Sequence, residues 1–264
     1  MTQKIFDVHA HIFPEKIAEK AVRAIGDFYG IRMTQDGSVQ TLIESGSKIG
    51  IKKYVVHSTA TAGNQVCSIN DFVARTVRQN AGTLIGFGTT HLDYEDFVGE
   101  VDRIIELGLN GIKLHPDFQQ FNADDPRMYP VYEAATGRLP ILFHAGDNRF
   151  DFSSPLRIAK VAKDFPGLKI IAAHLGGYRR WHQSSAYKGL DNVFFDTCSS
   201  LFMFTPHDAV RHIRSLGIDR VMFGTDYPMW KHTDEYECIM RLDLTPSERE
   251  GIFYKNAENI LGIG

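Results

Sequence analysis

Residues 5–14 read IFDVHAHIFP, and this stretch sets the reading of the fold. IFDVH (5–9) is short and mostly apolar, as expected of a parallel strand covered on both faces. Seven more runs of this kind follow: KKYVVH (52–57), LIGFGTT (84–90), GIKLH (111–115), PILFHA (140–145), KIIAAH (169–174), VFFDTC (193–198) and RVMFGTD (220–226). Amphipathic stretches separate them. In DFVGEVDRIIELG, the residues Phe97, Val101, Ile104 and Ile105 recur at helical spacing before Gly108 offers a stop. SPLRIAKVAKDFPG repeats the pattern, with Ser154 as the expected cap, Pro155 at the first helical position and Pro166-Gly167 as the end. Eight strand-helix units with right-handed crossovers predict an α/β fold, a (β/α)8 TIM barrel, with an open doubly wound sheet as the alternative. No linker or shift of composition interrupts the chain, so a single domain over residues 1–264 is expected. Residues 12–50 hold two further predicted helices, PEKIAEKAVRAIGDFYG and VQTLIESGSKIG, a helical insertion after strand 1 able to roof a site.

Composition narrows the function classes. The 264 residues are 43% hydrophobic and 23% charged, which is ordinary globular material. Twenty-nine basic and 32 acidic residues leave a net charge of −3, with no basic field for a nucleic acid backbone. The three cysteines, Cys67, Cys198 and Cys238, are widely spaced and form no C-x-x-C pair, which argues against a disulfide framework or thiolate zinc site and fits a reducing compartment. No apolar leader or 18-residue apolar run occurs, so a cytoplasmic protein without membrane contact is expected. P-loop, dinucleotide and serine-hydrolase motifs do not occur either.

Chemistry collects at the ends of the strands. His9 and His11 follow strand one, Lys113 and His115 lie on strand four, and His144, His174 and Asp226 close three later strands. In a barrel, C-terminal strand ends face one mouth, which scattered surface histidines would not. Successive strand side chains alternate, so His9 and His11 should point the same way about 6.6 Å apart at ~3.3 Å rise per residue. Alternation likewise puts His115 on the face of Lys113. Asp226 would add a hard oxygen ligand of the kind found in zinc or manganese sites, or else cap a helix before Pro228. His57 and His91 are candidate outer partners or surface residues. Asp196 either holds a ligand imidazole or caps a strand end. Arg179 and Arg180 offer planar forks to a substrate carboxylate.

DVHAHIFP, GIKLHP, ILFHAGD, KIIAAHLGG, VFFDTCS and VMFGTDYPMW, spanning residues 7 to 230, together with the ending FYKNAENILGI, resemble the amidohydrolase superfamily. The similarity is to the "amidohydrolase 2" branch typified by aminocarboxymuconate semialdehyde decarboxylase. It implies that His9, His11, His144 and Asp226 hold one divalent metal, zinc or alternatively manganese. His174 and Asp226 would be catalytic. A second ion would involve His174 and Lys113, the latter if carboxylated as in two-metal members of the superfamily; Lys113, His115 and Arg179 otherwise face the substrate. The expected partner is a small carboxylated or carbonyl-containing molecule, and barrels of this branch often pair as homodimers.

An ion with three imidazoles and a carboxylate keeps positive charge and can lower the pKa of a bound water from about 15.7 towards 7. The first expectation is therefore a metal-dependent hydrolase of an amide, ester or lactone. Metal-dependent non-oxidative decarboxylation, with His174 protonating the carbon that loses carbon dioxide, is the alternative the resemblance supplies. A catalytically silent ligand-binding barrel is the third.

Overall fold

The apolar runs become eight strands, most shorter than the sequence suggests, in a computed structural model that describes residues 4–263. In chain order the main elements are β1 (Ile5–His11), α1 (Glu15–Tyr29), α2 (Val39–Ser47), β2 (Ile51–His57), α3 (Val66–Gln79), β3 (Leu84–Gly86), α4 (Glu100–Glu106), β4 (Ile112–Leu114), α5 (Pro116–Gln119), α6 (Tyr129–Ala135), β5 (Ile141–Phe143), α7 (Pro155–Asp164), β6 (Ile170–Ala172), β7 (Val193–Asp196), α8 (Pro206–Leu216), β8 (Val221–Met222), α9 (His232–Met240), α10 (Pro246–Glu250) and α11 (Asn256–Leu261). The chain forms two compact units. One comprises residues through Val56, Gly82–Leu84 and the chain from Thr197 onward; the other comprises His57–Ala81 and Ile85–Asp196.

In the second unit β4, β5, β6 and β7 pair in parallel, with Ile112 opposite Ile141, Ile141 opposite Ile170 and Ile170 opposite Val193. Gly88, just past β3, bridges to Ile112. These strand residues are wholly buried, as are Val101 and Ile104 of α4, Val131 of α6 and Ile158 and Val161 of α7. Each large aliphatic so covered contributes about 1.5–3 kcal/mol. Helix α7 lies where the 3.6 period predicts, whereas α4 begins only at Glu100, so that Phe97 precedes it and Ile105 is exposed. Ser154 does occupy the N-cap position, but its side chain caps nothing. Pro155 removes one orphan N–H, and the Arg157 and Ile158 amides bond to the Ser154 carbonyl instead.

In the first unit β1 neighbours β2, and its other side is bonded to the β8 segment. Val8 N–H donates to Phe223 O at 2.9 Å, Asp226 N–H to His9 O at 2.9 Å and His11 N–H to Tyr227 O at 2.7 Å. The predicted insertion forms α1 and α2. Gly46 of α2 lets the helix close on β2, since a Cβ there would meet Tyr54 Oη at 2.0 Å. Tyr227 Oη donates to Ser38 O at 2.8 Å, and Gln35 Nε2 to Trp230 O at 2.8 Å, so the insertion is fastened to the turn that follows β8.

The ladder ends earlier than expected at the functional positions. Only Val221–Met222 of the predicted 220–226 is strand, and Asp226 takes φ +59°. His174 (φ +60°) and Ser199 (φ +52°) adopt the same left-handed backbone. Alternation therefore does not aim His174 or Asp226; each is re-aimed by a backbone state that L-residues adopt sparingly and that clusters at functional sites. Asp226 caps no helix. His115 has also left its strand: it is the N-cap of α5, so alternation from Lys113 no longer applies. Among the described residues no helix is long and apolar enough to cross a membrane.

Candidate active site

In the first unit His9, His11 and Asp226 converge. Asp226 Oδ1 lies 3.5 Å from His9 Nε2 and 3.3 Å from His11 Nε2, with all three side chains nearly excluded from water. Those separations are longer than good N–H···O bonds. They match the roughly 3–3.5 Å between neighbouring ligand atoms of a cation held at about 2.0–2.2 Å. The donor set also fits, since two imidazoles and a hard carboxylate oxygen suit zinc, manganese and related ions.

His9 Nδ1 lies 3.2 Å from Cys198 Sγ. With Nδ1–H directed at that sulfur, the lone pair is left on Nε2, the atom turned to Asp226. Asp226 Oδ2, the other oxygen, accepts from Ser199 Oγ at 2.6 Å.

Asp7 braces this group from within the fold. It is wholly buried, and its Oδ1 accepts the backbone N–H groups of both His9 and Thr225 at 3.0 Å. Its Oδ2 accepts from Thr225 Oγ1 at 2.5 Å and lies 3.2 Å from His232 Nε2. His232 Nδ1 meets Ser45 Oγ of α2 at 2.8 Å. One carboxylate thus ties the start of the H-x-H run to the residue before Asp226. Burial and the Asp7 charge push the nearby Tyr54 phenol well up.

In the second unit the histidines bond to each other. His174 Nε2 and His144 Nδ1 are 2.9 Å apart, and His144 Nε2 is 2.9 Å from Gly146 O. A carbonyl only accepts, so His144 carries its hydrogen on Nε2. For neutral rings its Nδ1 then accepts from His174 Nε2–H. A Cβ on Gly146 would strike the Gly177–Tyr178 backbone at 2.7 Å, so no other residue fits where this carbonyl is presented. His174 is held on both backbone sides: its N–H donates to Asp196 Oδ1 at 2.9 Å, and its carbonyl accepts from Trp181 Nε1 at 2.8 Å.

His115 stacks on His144 with ring centroids 3.9 Å apart and 8° between planes, and Phe118 covers its other face at 3.9 Å. Its Nδ1 accepts the Phe118 N–H at 3.3 Å, which commits that nitrogen to capping α5. His115, Asp117 and His144 bring ligand-type atoms within 4.8 Å of one another. Asp117 Oδ2 accepts from Ser153 Oγ, while its Oδ1 has no hydrogen-bond partner among the described residues. Burial, reinforced by the Asp147 charge, raises this carboxyl to about 6.

The remaining sequence candidates fall elsewhere. Lys113 is wholly buried on β4. Arg179 is exposed at φ +58° with its guanidinium 5.3 Å over the Tyr178 ring. Arg180 is spent on Asp147 O, Phe150 O and Asp151 Oδ1. His91 Nδ1 accepts the Asp93 N–H, and burial lowers its pKa. Asp196 serves the His174 backbone, the strand-end role left open by the sequence. His57 is buried at the end of β2.

Sequence reasoning missed Asp7, Asp117, Cys198, Ser199, Trp230 and His232. Asp7 did leave a signal, since D-x-H-x-H is polar at every second position of an otherwise apolar run. Nothing local marked the others.

Comparison with known proteins places these features in a family. A family model described as "Amidohydrolase" matches residues 6–263. A 2-amino-3-carboxymuconate-6-semialdehyde decarboxylase from Dictyostelium discoideum is 26% identical over 199 residues, 61% of this chain; the match spans 55% of that relative's own length. An uncharacterized TIM-barrel protein from Bordetella bronchiseptica is similar with a TM-score of 0.80 at 20% identity, covering 98% of this chain and 99% of the other. A dihydroxybenzoic acid decarboxylase from Polaromonas sp. JS666, solved with bound manganese and the inhibitor 2-nitroresorcinol, gives a TM-score of 0.76 at 16% identity over 99% and 97% of the two chains. The chain shares the (β/α)8 TIM-barrel fold of these structures, as its strand-helix grammar predicts.

Proposed function

The chain belongs to the amidohydrolase family across residues 6–263, and from that membership we propose that it is a divalent-metal-dependent, non-oxidative decarboxylase of a small carboxylated aromatic or enol-type substrate. One observation carries the proposal: His9 Nε2 and His11 Nε2 both address Asp226 Oδ1 at distances suited to ligands of one cation. The decarboxylase names of the relatives, and the manganese in one of them, support this chemistry over hydrolysis, the first expectation from the sequence.

His9, His11 and Asp226 would hold the ion; His144, read from the sequence as a further ligand of it, has both ring nitrogens engaged in this arrangement, Nε2 at Gly146 O and Nδ1 at His174 Nε2. The metal, manganese or zinc, supplies Lewis-acid binding of substrate oxygens and spreads the negative charge that develops as carbon dioxide leaves. His174 carries the mobile proton at Nε2, which His144 Nδ1 accepts in the resting arrangement. With a second proton taken up from solvent, His174 as imidazolium would give its Nε2 proton to the carbon bearing the carboxylate and return to the neutral ring, and carbon–carbon cleavage would then return the bonding pair to the substrate and release carbon dioxide. The atoms balance as carboxylate plus proton giving product plus carbon dioxide. Asp196 and Trp181 fix the His174 backbone, so that its imidazole is presented without rearrangement.

The test is carbon dioxide release from dihydroxybenzoates and related carboxylated phenols by protein reconstituted with manganese or zinc. Turnover should vanish on chelation and return on adding the ion. Full turnover by the chelated protein would overturn the metal dependence. Hydrolysis is the second reading, favoured by the family's description as amidohydrolases. Metal-dependent cleavage of a lactone or ester panel without carbon dioxide release would select it.

A further inference from the structure

Asp226 has two oxygens, and the structure contains a device that distinguishes them. Trp230 Nε1 lies 2.8 Å from Ser199 Oγ, and Ser199 Oγ lies 2.6 Å from Asp226 Oδ2. An indole N–H can only donate, and an ionised carboxylate can only accept. The hydroxyl between them therefore has one arrangement, accepting from Trp230 and donating to Asp226. The short second contact is of the charge-assisted kind. Trp230 is itself held from three directions: Gln35 Nε2 donates to its carbonyl at 2.8 Å, Phe202 packs on its ring at 4.7 Å, and its N–H goes to Ser199. Ser199 and Asp226 both sit in left-handed backbone, which turns the hydroxyl and the carboxylate out of strand register.

We propose that Trp230 and Ser199 are positioning residues forming a one-way hydrogen-bond chain that commits Asp226 Oδ2 and so leaves Oδ1 as the oxygen offered to the ion. This rests on the reading that His9, His11 and Asp226 hold a divalent metal. Without the chain the carboxylate can rotate, and each imidazole–Oδ1 pairing is populated for only part of the time. The partly exposed Phe202–Trp230 pair is thereby connected to the ion through two hydrogen bonds, so the indole should sense whether the ion is bound.

The experiment measures manganese and zinc affinity of the chelator-stripped protein by competition with a metallochromic dye. Ser199→Ala should weaken binding about ten- to hundredfold, the usual cost of losing an outer-shell partner. Trp230→Phe should weaken it less. Melting temperatures of the metal-free proteins should stay level, because the chain orders a carboxylate rather than the core. The sequence has two tryptophans, so in a Trp181→Phe background zinc should shift the emission of Trp230 alone, and Ser199→Ala should abolish the shift. His9→Ala is the control for the underlying reading. If His9→Ala loses the ion while Ser199→Ala and Trp230→Phe bind as the parent does, the chain is refuted and the metal reading stands. If His9→Ala binds as tightly as the parent, both fall. A Ser199→Ala protein that melts early without metal, while Trp230→Phe binds as the parent does, would mark a merely structural hydroxyl.

Discussion

Around Asp226, two imidazole nitrogens address one carboxylate oxygen at 3.3 and 3.5 Å, and the second oxygen and the His9 Nδ1 are each taken up by a neighbour. Around His144 the imidazoles instead bond directly to one another at 2.9 Å, stack at 3.9 Å and end on a carbonyl. The first group brings two imidazole nitrogens onto one carboxylate oxygen, whereas the second is a sequence of donors and acceptors. Similar residue types thus prepare two kinds of chemistry: lone pairs converging on one point suit a cation, and an alternating donor–acceptor chain suits a proton.

The sharpest way to break this contrast is to remove a member of the acceptor group. Asp226→Ala or His9→Ala should weaken metal binding by more than the roughly hundredfold that outer partners cost, with turnover lost in parallel; unchanged metal content by elemental analysis would end the distinction. In the donor–acceptor group, His174→Ala should keep its metal yet lower kcat by about 10²–10⁴, the usual contribution of a positioned acid or base. Loss of half the metal in that variant would show that His174 ligates an ion, as the two-metal members of the superfamily would have it.

Asp7 sharpens the comparison at the level of stability. Removing a buried partner leaves the other polar groups unmatched, so Asp7→Ala should cost about 3–5 kcal/mol, read as a lower denaturant midpoint. Asp7→Asn should cost less, because it keeps an acceptor for the His9 and Thr225 amides. The smallest effect belongs to Asp117. Its carboxyl is raised from 3.8 to about 6 by burial, so the folded protein binds that proton more tightly than the unfolded chain. Its contribution is fully present below about 4 and is lost as pH rises through about 6, at most about 3 kcal/mol. Asp117→Asn should therefore flatten the fall in melting temperature between pH 4 and 6, and an unaltered slope would contradict the raised carboxyl.

How far the sequence reached can be judged residue by residue. His9 and His11 were legible because β1 keeps its alternation to His11, and a period-two pattern transfers directly to a strand. Asp226 and His174 were legible as residues but not as geometry, since nothing local announces a left-handed backbone. Arg179 was expected to face a substrate carboxylate and is exposed beside Tyr178. His232 lies outside every apolar run, yet it is buried against Asp7, 225 positions earlier in the chain.

Composition, hydrophobic period and the placing of polar residues at the ends of apolar runs determined the strand-helix order, the fold class and the residues able to bind a cation. These are local properties, written into side-chain type and spacing. Which nitrogen of each imidazole faces a partner, which oxygen of Asp226 is committed to Ser199, and that Asp7, His232 and Trp230 stand behind the visible motif were decided only by tertiary structure. A hydrogen bond is set by separations of tenths of an ångström between atoms that folding brings together, and neighbouring letters hold no record of such distances.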